Sequence, residues 1–218
     1  MTSSHLAEFQ TALSGYGLTV PEEAVDQLIH YATLLWEWNE RLNLTRHTTF
    51  DAFVCRDLLD TLRLSDQIPP EERVLDVGSG GGVPGIPLAI LRPDLQVTLA
   101  ESVGKKAEAL KAMVRELQLP VPVQAKRAEE VLRNQRFHVL TIRAVAPLRK
   151  LLFWFQLNPR QFRRLLLIKG PRWQQEKEEA EQEGLLDRFQ VAVIDEYATP
   201  GHDNNSVILE VRPVDRAG

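Results

Sequence analysis

The residues best placed to do chemistry are one acid and the glycines behind it, in Asp76-Val77-Gly78-Ser79-Gly80-Gly81-Gly82-Val83-Pro84-Gly85. Four glycines within positions 78–82 let the backbone turn sharply and approach a ligand with no side chain between. Before them, Arg73-Val74-Leu75-Asp76-Val77 is a short, β-branched apolar run that reads as a buried strand. After them, Ile86, Leu88, Ala89, Ile90 and Leu91 resume a pattern suited to a helix. The start of such a helix presents unpaired amides and a partial positive charge to whatever the loop holds. The stretch is a cradle that tolerates an anion.

Two ligand classes use such a cradle. Gly80-x-Gly82-x-x-Gly85 satisfies the dinucleotide pattern, but its glycines begin several residues past the strand, later than that fingerprint requires. Asp76-x-Gly78-x-Gly80-x-Gly82 puts an acid at the strand tip with alternating glycines behind it, and resembles the first motif of class I S-adenosylmethionine-dependent methyltransferases. That resemblance implies that Asp76 receives the ammonium of the methionyl part and the loop amides its carboxylate. Residues 95–101 read as the next strand and end in Glu101, a carboxylate at the separation expected for ribose hydroxyls. Both cofactors carry a ribose, so Glu101 supports a nucleoside without choosing between them. The bland alternative is a tight turn beside a solvated surface acid.

The elements that must position these residues fall into two groups. Residues 1–66 read as helical, with a start at Pro21-Glu22-Glu23, Thr19 as cap and Glu22 closing a capping box. Val25, Leu28, Ala32, Leu35 and Leu42 recur at helical spacing, and Phe53, Leu58, Leu59 and Leu62 suggest a further helix. Trp36 and Trp38 read as packing residues rather than base-stacking ones. Asn43, Thr45, Arg46 and Arg56 could form a phosphate-binding lip or be mere linker. Pro69-Pro70 closes the group. From there strands at 73–77, 95–101, 121–125, 139–142 and 165–168 alternate with helices at 84–91, 105–117, from 128, at 147–157 and at 173–183, and strands at 189–194 and 206–211 form a closing antiparallel hairpin around the turn 200–205. This alternation means an α/β fold with a mostly parallel seven-stranded sheet, helices on both faces, and ligands at the carboxyl ends of the strands. Ala128 and Glu129 follow the third strand, where their backbone can meet an adenine edge. Arg143 follows the fourth and Lys169 the fifth. His138, at a strand entrance, reads as structural.

With 44% apolar and 26% charged residues in 218, the composition is that of a globular protein with one core or a core and a subdomain. The single Cys55 excludes an internal disulfide, no metal-ligand spacing is present, the first ten residues lack signal-peptide character, and no apolar run reaches membrane-spanning length. A cytoplasmic protein is expected. The net charge of -4 conceals an acid-free stretch at 139–175, in which Arg143, Arg149, Lys150, Arg160, Arg163, Arg164, Lys169 and Arg172 fall together. Such a stretch could face phosphates, or be strands with solvated basic ends.

Assembled, these motifs resemble the guanine-N7 methyltransferase family of bacterial small-subunit ribosomal RNA, RsmG or GidB. The features shared are Trp38-Asn39, Asn43-Leu44-Thr45, Arg56 through Thr61, Leu75-Asp76-Val77-Gly78-Ser79-Gly80, Gly82-Val83-Pro84-Gly85-Ile86-Pro87-Leu88, Arg127-Ala128-Glu129-Glu130, Arg143-Ala144-Val145-Ala146 and Lys169-Gly170. The resemblance implies a Rossmann-like class I methyltransferase at 67–218 behind an N-terminal helical subdomain at 1–66, with S-adenosyl-L-methionine as cofactor and N7 of a guanine in 16S ribosomal RNA, free or in the small subunit, as acceptor. It implies cofactor contacts at Gly78, Val83, Glu101, Ala128, Glu129 and Arg143, beside Asp76, Gly80 and Gly82 of the motif. The sequence departs from the family at Asp57, where a histidine is common, at Thr61 for serine, at Glu101 for aspartate and at Ile142 for serine. Guanine N7 has a free lone pair and loses no proton on methylation, so no catalytic base is needed, which accommodates the absence of an obvious one. Arg46, Arg56, Arg143, Arg149, Lys169 and part of 160–164 are expected to line the RNA approach. The protein is expected to be a monomer without metal. A small-molecule methyltransferase with a helical lid, and an RNA-binding chaperone with a vestigial cradle, are the rival readings.

Overall fold

The computed structural model describes residues 3–201 and 205–214. Seven strands form one sheet in the order β3-β2-β1-β4-β5-β7-β6, with β1 Arg73–Val77, β2 Gln96–Ala100, β3 Val123–Gln124, β4 Val139–Arg143, β5 Arg164–Lys169, β6 Phe189–Ala198 and β7 Asn205–Pro213. The first five are parallel, and β7 runs antiparallel to both β5 and β6. Strands β1, β4 and β5 are almost wholly buried apolar runs, as a sheet covered on both faces requires. The parallel register aligns Val77 with Ala100 and Ile142, and Arg143 with Ile168. The loops after β1, β2, β4 and β5 therefore emerge side by side, and the strand order reverses between β1 and β4.

Helices α5 Gly85–Leu91, α6 Gly104–Glu116, α7 Ala128–Leu132, α8 Leu148–Phe155 and α9 Trp173–Gln182 follow the strands in the expected alternation. Ahead of them, α1 Ser3–Gly15 and α2 Glu22–Asn39 form a cap with a third helical run, made of α3 Phe50–Ala52, a π-helical turn Phe53–Leu58 and α4 Leu59–Ser65. One apolar cluster continues from Phe9, Leu28 and Phe53 of the cap into Ile86, Leu88 and Leu99 of the sheet layer. Burial of that continuous face holds the cap on the sheet.

Three expectations need correction. The capping box at Thr19 does not form: α2 begins after Pro21, whose fixed φ starts the helix without a side-chain hydrogen bond. The helix expected around Phe53 contains the π-helical turn, which adds a residue to the turn that carries Arg56 and Asp57. The last two strands run longer than read, to Ala198 and Pro213. Of the turn expected at 200–205, positions 202–204 lie outside the described residues.

Candidate functional site

The glycine loop is shaped by its own backbone bonds. The amides of Gly78 and Ser79 donate to Ala100 O at the end of β2, and Gly82 N donates to Ser79 O. Gly78, Gly80 and Gly82 all have positive φ, a conformation that a side chain would strain. A Cβ on Gly80 would have only Gly78 O within 4 Å, at 3.8 Å, so the loop is open at that point. A Cβ on Gly85 would stand 2.7 Å from Asp76 Oδ2, so that glycine serves close packing of α5 on β1.

The cap closes the other side. Tyr31 of α2 donates its buried hydroxyl to Gly81 O at 3.0 Å, and a Cβ on Gly81 would press on Leu35 and Leu44. Asn39 Oδ1 accepts from the amides of Leu44 and Thr45, which fixes the loop leaving α2. Between the walls lies a cavity of about 240 Å³ lined by Leu44, Thr45, Asp57, Gly78–Gly81, Val83, Glu101 and Arg143. A second cavity of about 440 Å³ shares Arg143 and Ala144 with it and is lined by Arg56, Asp60, Lys169, Arg172 and Glu176. A wider hollow of about 600 Å³ against α1 contains none of the loops that follow the strands.

Arg143 forms the partition between the two cavities. Its guanidinium donates to Asp57 Oδ1 and, at 3.1 Å, to Asp60 Oδ2. Asp60 Oδ1 in turn accepts from the Tyr197 hydroxyl at 2.7 Å, and Asp57 Oδ1 also meets His47 Nδ1 at 2.9 Å. Burial raises the pKa of Asp57, but the His47 bond and Arg143 outweigh it and leave the group below the usual carboxylate range. Asp57 is then an acceptor only, so His47 Nδ1 carries the shared proton. Burial wins at Asp60, whose pKa is raised, and holds that of Tyr197 well above the usual phenol range. The next residue, Ala144, has φ +55°, a left-handed conformation uncommon without glycine, and the bend brings Val145 against Gly78.

A family model described as rRNA small subunit methyltransferase G matches residues 24–205. The chain belongs to the rRNA small subunit methyltransferase G family. A relative of that name from Rhodopirellula baltica is 53% identical over 191 residues, 88% of this chain and 83% of the relative. Another, from Ruegeria sp., is 32% identical over 203 residues, 91% of this chain and 95% of its own. Among solved structures, MtNAS in complex with MTA and tNA superposes with TM-score 0.58 at 16% identity, over 84% of this chain and 70% of that one. The 23S rRNA methyltransferase ErmE gives 0.52 at 15% identity, over 73% and 69%. Both share the fold, a Rossmann-like sheet of the class I methyltransferase kind.

In this methyltransferase G family member, Gly78, Gly80, Val83, Glu101 and Arg143 line the first cavity, whereas Gly82 does not. Glu101 spends one oxygen on the Gly80 amide at 2.9 Å and the other on Val103 N at 2.7 Å. A carboxylate has lone pairs left for hydroxyl donors. Ala128 and Glu129 start α7 beyond β3, on the flank of β2, and do not line the cavity.

Asp76 departs from expectation. It is 1% exposed, lies beneath the start of α5 with Oδ1 accepting from Thr141 Oγ1, and does not line the cavity. The close approach of Gly85 covers it, and burial pushes its pKa to about 6.

The basic residues also sort differently. Arg143 is neutralised by two buried acids and so is not a phosphate hook. Arg149 pairs with Glu179 of α9 and with Glu183 just past its end, and lines neither cavity. Lys169 does line the second cavity, but its Nζ donates to Ala146 O and Glu176. Arg160, Arg163 and Arg164 stand at or before the amino end of β5, at the sheet edge opposite the cavities, where Arg164 pairs with Glu72 and Glu210. Arg56 and Arg172 line the second cavity and make no ion pair among the described residues, and Arg46 is exposed beside Thr45.

His138 Nδ1 accepts from Arg73 N, a structural role as expected, and Trp36 packs edge-on against Phe50. Sequence reading missed Asp60, Tyr31 and Tyr197 and saw Asp57 only as a departure. Two acids at 57 and 60 among the apolar residues Phe53, Val54, Leu58, Leu59 and Leu62 were the available signal of buried, partnered carboxylates.

Proposed function

We propose that the chain transfers the methyl group of S-adenosyl-L-methionine to N7 of a guanine in 16S ribosomal RNA, acting as a cytoplasmic monomer. The observation that carries this is the family match across 24–205 joined to two cavities that meet at Arg143, one framed by glycine backbone and Glu101, the other by cations. The fit to the cofactor is supported by the open face at Gly80 and by a carboxylate at the end of β2.

Bound there, S-adenosylmethionine supplies an electrophilic methyl on a sulfonium. The loop 78–83 holds its methionyl end by backbone, Glu101 accepts from the ribose, and the backbone of Ala128 and Glu129 borders the adenine. Leu35 and Leu44 of the cap, residues 1–66 in this reading, exclude water from the loop. The acceptor guanine enters the second cavity, where Arg56 and Arg172 face the phosphates around it. Because N7 uses a free lone pair and releases no proton, alignment and dehydration suffice, and no side chain has to act as a base. In A-form RNA N7 lies in a groove too deep and narrow for side chains, so the target guanine stands in a loop or an opened junction.

Among the described residues no helix is long and apolar enough to cross a membrane, and no cluster of three or more His, Cys, Asp or Glu is arranged to hold a metal. The test is transfer of a labelled methyl from S-adenosylmethionine to small-subunit RNA or particles, followed by strand scission specific for N7-methylated guanine. One labelled, cleavable guanine is expected. Label on a base amine or ring carbon, or none on any ribosomal substrate despite cofactor binding, overturns the reading.

A further inference from the structure

The first cavity holds one polar atom that nothing in the fold accounts for. Asp57 is fully buried and lines the cavity, yet only its Oδ1 is engaged, by His47 and Arg143, while Oδ2 has no hydrogen-bond partner. A buried carboxylate oxygen without a donor costs free energy that a fold normally avoids. Arg143 is shared by Asp57 and Asp60, so one guanidinium serves two buried carboxylates. The wall therefore offers an unfilled carboxylate acceptor beside the backbone of Gly78–Gly81.

Asp76, which the motif suggested for a cationic ligand group, also has an unpartnered Oδ2, but it is shut beneath α5 and does not line the cavity. Glu101, the other acid lining the cavity, has each oxygen on a backbone amide. Lys106, also in the lining, carries the wrong sign for a cation. Asp57 alone among the described lining residues has a carboxylate oxygen with no hydrogen-bond partner. It reaches the cavity from the cap because the π-helical turn Phe53–Leu58 carries it.

We propose that Asp57 Oδ2 receives the α-ammonium of the methionyl part of the cofactor, making the cap a wall of the cofactor site and Asp57 a binding residue. This rests on the S-adenosylmethionine reading above. A guanine edge donating to the same oxygen is disfavoured because Asp57 lines the cavity of the glycine loop and not the one holding Arg56, Lys169 and Arg172.

The test is calorimetric binding of S-adenosylhomocysteine and of its analogue lacking the α-amino group, to the wild-type chain, to Asp57→Asn and to Asp76→Asn. The wild type is expected to prefer the amino compound by about 10- to 100-fold, the range of a charge-assisted hydrogen bond. Asp57→Asn is expected to lose most of that preference, and Asp76→Asn to keep it. Affinity for 5′-methylthioadenosine, which lacks the amino-acid end, should move by less than about threefold in either variant. Equal binding of the two compounds by the wild type overturns the proposal, as does a preference retained in Asp57→Asn or lost in Asp76→Asn. Should Asp57→Asn not fold, the wild-type and Asp76→Asn arms still decide. Failure of the wild type to bind S-adenosylhomocysteine or S-adenosylmethionine at all would instead sink the cofactor reading itself.

Discussion

One buried aspartate lies in the wall of the glycine-loop cavity and another beneath its floor, and the two behave oppositely. Asp76 in the floor is covered by Gly85, holds the Thr141 hydroxyl, and has its pKa raised to about 6 by burial. Asp57 in the wall is as deeply buried, but His47 and Arg143 hold its pKa below the ordinary range. The acid fixed by the glycine motif thus sits under the turn, while the acid supplied by the cap lines the cavity. Burial alone does not assign a carboxylate its role; the charges that accompany it do.

The comparison breaks most easily at Arg143. Replacing it with alanine leaves Asp57 and Asp60 buried without their cation, a loss expected to cost about 3–5 kcal/mol. Thermal melting should show a fall of roughly 6–20 °C. A shift under about 2 °C would mean that the two acids are not held as described.

The pH dependence of the two aspartates sharpens the contrast. A folded-state pKa raised from 3.8 to about 6 means that Asp76 is bound as its neutral form more readily in the fold. Its ionisation costs stability that is absent at pH 4, grows through pH 6 and is constant above. Asp76→Asn should therefore gain on the wild type between pH 4 and 7, by at most on the order of 3 kcal/mol. Asp57 has the reverse sign: its lowered pKa contributes stability present above its unfolded pKa and lost as pH falls through the folded value. Asp57→Asn should fall behind the wild type as pH rises toward about 4 and then keep a constant deficit up to pH 7. Parallel curves for the two variants would erase the distinction.

Two glycines probe the floor more gently. Gly85→Ala places a Cβ 2.7 Å from Asp76 Oδ2 and against Leu99, an overpacking expected to cost about 1–3 kcal/mol in denaturant unfolding. Gly80→Ala meets open space but a strained φ of +56°, so about 1–2 kcal/mol is expected, accompanied by weaker cofactor binding. Gly85→Ala melting like the wild type would show that the helix does not press on Asp76.

Among cations the contrast is between mouth and back edge. Arg172→Glu is expected to weaken RNA binding and to lower the salt slope by about one, while Arg160→Glu leaves both unchanged. Arg149→Ala removes only a half-exposed pair with α9 and should change stability by less than about 1 kcal/mol.

Most of the sheet could be read from the sequence because its strands are short apolar runs punctuated by glycine, proline and polar loops, and the alternation with helices leaves one topology. The position of Glu101 at the end of β2 followed from the same pattern. What escaped was anything set by partners far apart in the chain. Arg143 reads as a solvated cation until the fold brings Asp57 and Asp60 to it across 86 and 83 positions. Asp76 looked open to a ligand because the packing of Gly85 over it is not a property of spacing. The acid-free stretch at 139–175 suggested one basic face, but β5 runs through it and delivers Arg164 and Lys169 to opposite edges. The π-helical turn, one residue longer than the helical period, left no mark in the apolar pattern around Phe53.

A crystal structure with S-adenosylhomocysteine examines the account most directly. It should show the amino-acid end along Gly78–Gly81, the ribose hydroxyls on Glu101, and the α-ammonium within hydrogen-bond distance of Asp57 Oδ2, with Asp76 still closed beneath α5. An ammonium seated on Asp76, or a nucleoside bound away from the glycine loop, would contradict it.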